Sequence, residues 1–138
     1  MNPTHRRLRR LGPPAAALVL AAVAACGDDT PDDQLTGVAR EGREVAGNNG
    51  CTNCHSANGD EMTGPSWKGI WGTTEELEDG REVQVDAAYV ERSIRDPQAD
   101  VVAGFNVPMP PFELTDEEVD AVVAYIESLG TDDGAGSP

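Results

Sequence analysis

A chain of 138 residues that is 38% hydrophobic and only 4% aromatic can build one small domain with appendages, and so lean a core calls for a metal, disulfide or cofactor at its centre. The formal net charge is −15, yet Arg6, Arg7, Arg9 and Arg10 all precede Cys26 while every acidic residue follows it, leaving six basic against 25 acidic residues from Cys26 onward. Such a charge excludes nucleic acid as a partner and leaves two uses for the acidity, simple solubility or steering of a basic partner.

Residues 1–25 combine a basic start, the pair Pro13 and Pro14, and an apolar run from Ala15 to Ala25. The run is shorter than the roughly 20 residues that span a bilayer and has the form of a signal peptide, so the chain is expected to be exported. The junction Val23-Ala24-Ala25-Cys26 resembles the lipobox of bacterial lipoproteins. That resemblance implies cleavage before Cys26 and lipidation of its thiol, anchoring the chain to the outer, periplasmic face of the cytoplasmic membrane. The alternative is a small-residue cleavage site with Cys26 left as a spare thiol, a liability in an oxidising compartment. Residues 26–35 then form an acidic tether with four aspartates, reaching on the order of 30 Å when extended.

From Thr36 to about Asn48, Val38, Gly42, Val45 and Ala46 recur at helical spacing, and Gly47-Asn48-Asn49-Gly50 stops the helix. Gly42 falls on the inner stripe, which suggests close approach by another helix, the alternative being a plain helix glycine.

Cys51-Thr52-Asn53-Cys54-His55 follows at once. CxxCH is the attachment signature of a c-type haem: two thiols add to the porphyrin vinyl groups and the adjacent imidazole binds iron. The spacing puts Cys51 and Cys54 about one turn apart, with His55 beneath the macrocycle. A structural zinc site needs about four Cys or His ligands, and outside the motif only His5 and Cys26 remain. A thioredoxin-like CxxC would stand beside a βαβ pattern, which the flanks lack.

Residues 56–64 are loop-like, and Gly64-Pro65-Ser66-Trp67-Lys68-Gly69-Ile70-Trp71-Gly72 places both tryptophans within five positions, expected to cover one side of the haem. Asp79-Gly80 between partly alternating flanks predicts a small exposed β-hairpin with a type I′ turn. Asp86 caps a helix carrying Tyr89, Val90 and Ile94 on one side and ended by Pro97.

Val101 to Phe112 holds Gly104, Pro108, Pro110 and Pro111 and is expected to lack regular structure. Within it Met109 sits between two prolines, a stiffened thioether suited to a soft axial ligand, although methionine is more often core filler. Met62 lies too near His55 in sequence to turn easily to the opposite haem face. The last helix opens with a Thr115–Glu118 capping box and a Leu114–Val119 staple. Val119, Val122, Val123, Ile126 and Leu129 form its stripe with Tyr125 beside it, and Gly130 terminates it. Residues 131–138 make a polar tail.

From about Gly42 to Leu129 the chain resembles a class I cytochrome c, and more narrowly the cytochrome c domain fused to subunit II of caa3-type cytochrome oxidases. The residues that carry the resemblance are Gly42, Cys51-x-x-Cys54-His55, Gly64-Pro65, the hairpin with Asp86-x-x-Tyr89, Ser93-Ile94-x-Asp96-Pro97, Met109-Pro110 and Val123-Ala124-Tyr125-Ile126. It implies an all-α domain over residues 36–130, with three to five short helices around one covalent haem c and a small hairpin insertion. It also implies that the Pro65 carbonyl accepts from the His55 ring and that His55 and Met109 are the two axial ligands of the iron. The family usually has an aromatic four residues after the glycine; Ala46 stands there instead, which predicts weaker contact with the terminal helix near Tyr125.

The function expected is single-electron transfer in a respiratory chain, toward a terminal oxidase, by a membrane-anchored monohaem carrier with no catalytic side chain. Its partners are redox proteins, a donor complex and the oxidase. A dedicated haem subunit of a dehydrogenase or oxidase complex is the alternative, and a haem enzyme or gas sensor a third, which needs an open iron position.

Overall fold

The computed structural model describes residues 35–130. The leader, Cys26, the tether up to residue 34 and the tail 131–138 lie outside the described residues. Leu35, assigned to the tether from sequence, belongs instead to the core: it is buried, and its carbonyl accepts from the Arg40 guanidinium at 3.3 Å.

Helix α1 (Gly37–Asn48) starts where the Thr36 hydroxyl accepts the Ala39 N–H at 3.2 Å. Its buried face is Ala39, Gly42 and Ala46, whereas Val38 is 53% exposed. The expected stripe is therefore one position out of phase at its start. The cause is the crossing with helix α3 (Asp116–Ser128), so close that only small residues fit: a Cβ on Gly42 would lie 1.8 Å from the Ala121 carbonyl oxygen. The weakened packing expected at Ala46 is not observed. Ala46 is fully buried, and α1 against α3 is the most extensive contact between elements.

After α1 the chain passes through Gly50, at φ 74°, into a 3₁₀ turn, Cys51–Asn53. A loop leads to strand β1 (Thr74–Glu76), which pairs antiparallel with strand β2 (Glu82–Gln84), Glu75 opposite Val83. The turn between them is not type I′, which needs positive φ at both central residues; only Gly80 has it, at 80°. Leu77 N–H instead donates to Arg81 O at 2.8 Å and Gly80 N–H to Leu77 O at 2.9 Å, giving a three-residue loop. The Asp79 carboxylate favours this form by accepting from the Arg81 backbone at 3.0 Å and guanidinium at 2.7 Å.

The hairpin is also less exposed than expected. Leu77 is buried and bridges Val102, Glu78 N–H donates to Val101 O and Ala103 N–H to Glu76 O, each at 2.8 Å. The start of the supposedly irregular segment 101–112 is thus paired along β1.

Helix α2 (Ala87–Arg95) begins at Asp86, whose side chain accepts the Tyr89 N–H at 2.8 Å, and buries Tyr89, Val90 and Ile94. Arg95 at its end reaches the Leu114 carbonyl at 3.2 Å and the Asp116 carboxylate, tying α2 to the entry of α3. There the Thr115–Glu118 capping box is formed in both directions. Helix α3 buries Val119, Ala121, Val122, Tyr125 and Ile126, with Leu129 just past its end. Tyr125, expected beside the stripe, is among the deepest side chains, while Val123 is half-buried. Gly130 follows without positive φ, and a Cβ there would meet Trp71 Cβ at 2.7 Å.

Candidate haem-binding site

The 3₁₀ turn, the Gly64–Trp67 segment, one face of α2 and the segment 105–112 enclose an apolar cleft with about 1350 Å³ of empty space counted out to its open mouth. Cys51, Cys54, His55 and Met109 all line it. Hydrogen bonds from Cys54 N–H and His55 N–H to the Cys51 carbonyl, 3.1 and 3.0 Å, wind the motif so that both thiols reach the cleft. They are half-buried and unbridged. Burial pushes the Cys51 thiol up from its ordinary pKa, opposed in part by a backbone hydrogen bond, so it stays protonated at neutral pH.

The imidazole of His55 is held on two sides. Nδ1 lies 2.8 Å from the Pro65 carbonyl oxygen, and the Trp67 indole stacks on its face at 5.0 Å between centroids. With Nδ1–H donating to Pro65, Nε2 keeps a free lone pair for a metal. Burial lowers the His55 pKa, against the pull of that hydrogen bond, which favours the neutral, ligating ring. A Cβ on Gly64 would lie 2.6 Å from His55 Cε1, so the backbone passes against the ring in a way only glycine permits.

The loop that brings Pro65 to His55 is fastened by buried Ser56. Its hydroxyl donates to the Asp60 carbonyl at 2.7 Å and lies 2.8 Å from the Ser66 hydroxyl, toward which it has only lone pairs left to offer, and its carbonyl accepts the Trp67 N–H at 2.8 Å. Nothing in the local sequence marks Ser56, because its partner Ser66 is ten residues away. Trp67 lines the cleft; Trp71 does not, and packs instead beneath Gly130 at the end of α3, so only one of the two tryptophans faces the site.

On the far segment Met109 accepts at its backbone carbonyl from Gln98 Nε2 at 3.4 Å. Met62 is 41% exposed and outside the cleft lining. Asp100, also in the lining, is a buried carboxylate that sequence reasoning did not single out.

Two thiols, a neutral imidazole and a thioether around an apolar slot are the donor set for a covalently held haem. Among the described residues no three or more His, Cys, Asp or Glu side chains converge to hold a metal ion. The sheet among them is the β1–β2 pair alone, so the CxxC has no βαβ setting.

The cytochrome c family model matches residues 39–130. Among solved structures the chain is similar to a cytochrome c from Rhodothermus marinus, with a TM-score of 0.51 and 17% identity over 73% of this chain and 84% of that one, a likeness of fold. None of the curated proteins compared matches the chain.

Proposed function

The chain belongs to the cytochrome c family, and on that premise we propose that it is a membrane-anchored monohaem carrier passing single electrons through a respiratory chain toward a terminal oxidase. Members of the family hold haem c covalently and are electron carriers, not enzymes. When bound, the haem supplies reversible one-electron exchange at its iron.

Every other part of the task falls to the chain. Cys51 and Cys54 would hold the group through thioethers, and His55 and Met109 would supply the ligands to its iron. The Pro65 carbonyl keeps His55 in one tautomer and raises its basicity. The apolar walls exclude water, and Met/His ligation raises the reduction potential, suiting delivery to an oxidase. The observation that carries this reading is the convergence of Cys51, Cys54, His55 and Met109 on one apolar cleft from segments more than fifty residues apart in sequence.

The address rests on the sequence: the leader and the junction at Cys26 support lipid anchoring on the periplasmic side of the cytoplasmic membrane, and the likeness to the caa3-type oxidase domain supports the oxidase as acceptor. The test is expression with a haem-attachment system. The expected product is a low-spin ferric protein that does not bind carbon monoxide when reduced, with Met109→Leu converting it to a form that does. A wild-type protein that is high-spin and binds carbon monoxide readily overturns Met109 ligation and the carrier role together. Fractionation with labelled fatty acid tests the anchor: Cys26→Ser is expected to release the protein from the membrane and abolish labelling.

A further inference from the structure

Asp100 is an acidic side chain only 5% exposed, held by two cations from different elements. Arg92 of α2 donates through Nε at 2.5 Å, and Arg81 from the hairpin turn through Nη1 at 3.0 Å. Arg81 also donates to the Ala99 carbonyl at 3.2 Å and is steadied by Asp79 at 2.7 Å. Gln98, two residues before Asp100, reaches the Met109 carbonyl. On the other side the segment 101–103 is bonded to Glu76 at the end of β1 and to Leu77 and Glu78 just after it.

The segment 98–103 is therefore fixed by α2, by the hairpin turn and by β1, and it runs directly into the segment that carries Met109. Pro108, Pro110 and Pro111 restrict the backbone on both sides of Met109, and Gln98 bonds its carbonyl directly, so a displacement of the 98–103 segment is passed on to Met109 through that bond. Burying a carboxylate is a poor way to gain stability, since an apolar side chain of similar size often does as well. What a paired charge supplies here is a fixed position: two guanidinium directions define where Asp100 sits.

We propose that the Arg81–Asp100–Arg92 cluster is a positioning device for Met109, and that the β1–β2 hairpin serves as a brace through which Arg81 sets the sixth ligand of the haem iron. This rests on Met109 being that ligand. Loss of Asp100 or of Arg81 loosens the root of the segment, and Met109 is then displaced more easily by an outside ligand.

The experiment measures imidazole affinity of the ferric holoprotein by visible spectroscopy in wild type, Asp100→Asn, Arg81→Gln and Met109→Leu. Asp100→Asn and Arg81→Gln are expected to bind imidazole at least tenfold more tightly than wild type, moving toward Met109→Leu. Hydrogen exchange of the amides between 98 and 110 is expected to quicken in both. Thr115→Ala, which weakens the fold at the capping box, is expected to leave imidazole affinity within twofold of wild type. If Asp100→Asn does not fold, Arg81→Gln, at a side chain 57% exposed, carries the test. Wild-type affinity in both cluster variants, with Met109→Leu distinct, overturns the positioning role alone. Equal affinity in wild type and Met109→Leu overturns the ligation on which it rests.

Discussion

The Trp67 indole lies within 9° of parallel to the His55 imidazole and forms a T-shaped pair with the Tyr125 ring at a centroid distance of 6.0 Å. One buried side chain thus joins His55, the proposed iron ligand, to the last turn of α3. Trp67→Ala would leave a cavity on both sides and is expected to cost about 3–5 kcal/mol. It also frees the His55 face, so the reduction potential should move along with stability. Trp67→Phe keeps a stacking ring and should lose less of each. Denaturant unfolding with potentiometry checks both, and an unchanged potential in Trp67→Ala would refute the link between stacking and ligand.

Gly64→Ala addresses the same ring. The added Cβ would meet Cε1 at 2.6 Å and Nδ1 at 2.9 Å, and Pro65 is the next residue, so relief requires moving the ring away from the Pro65 carbonyl. Overpacking of this kind costs about 1–3 kcal/mol. A weaker Nδ1–H hydrogen bond lowers the basicity of the ligand, which favours the reduced iron, and the potential is expected to rise while the haem stays covalently attached. A lowered potential would contradict this account.

At the helix crossing the constraint is harder, because Gly42 faces backbone. A methyl group 1.8 Å from the Ala121 carbonyl oxygen can be accommodated only by moving α1 off α3. Gly42→Ala is expected to destabilise by about 3 kcal/mol, the upper part of the overpacking range, as read from urea unfolding. A loss below 0.5 kcal/mol, well under that range, would mean that the crossing yields without cost.

Gly42 was only half legible in the sequence, where a close crossing and a plain helix glycine were equally good readings, and the phase of the stripe was not, because Val38 is turned outward by the crossing with α3, distant in sequence. The same division runs through the chain. Thr115 and Glu118 could be paired from sequence since both bonds close within three residues; Thr115→Ala should accordingly cost about 1 kcal/mol, in the usual range for a lost cap. Cys51, Cys54 and His55 were legible as one contiguous motif. Ser56, the docking of residues 101–103 on β1, and Asp100 were not, since each depends on groups brought together only by the fold. The hairpin turn failed for a related reason: Asp79-Gly80 permits more than one turn, and the bonds from Arg81 to Asp79 select the one formed.

Asp100 also predicts how stability depends on pH. The hydrogen bond from Arg92, and after it the one from Arg81, hold its pKa below the ordinary carboxylate value in spite of desolvation. A carboxylate lowered in the folded state contributes stability that is fully present above its unfolded pKa, about 3.9, and is lost as pH falls through the folded value. Asp100→Asn should therefore be less stable than wild type at neutral pH, and the gap should begin to shrink below about pH 4, where the carboxyl of the unfolded chain takes up its proton, and close once the pH falls below the depressed folded-state value. Asp79, lowered mainly by its hydrogen bond with Arg81, follows the same sign. It is exposed, so Asp79→Asn should show a smaller gap that added salt reduces further. The check is denaturant unfolding of all three proteins between pH 7 and pH 2. A gap for Asp100→Asn that stays constant through the acid range would show that its effect comes from shape, not from the charge held between Arg81 and Arg92.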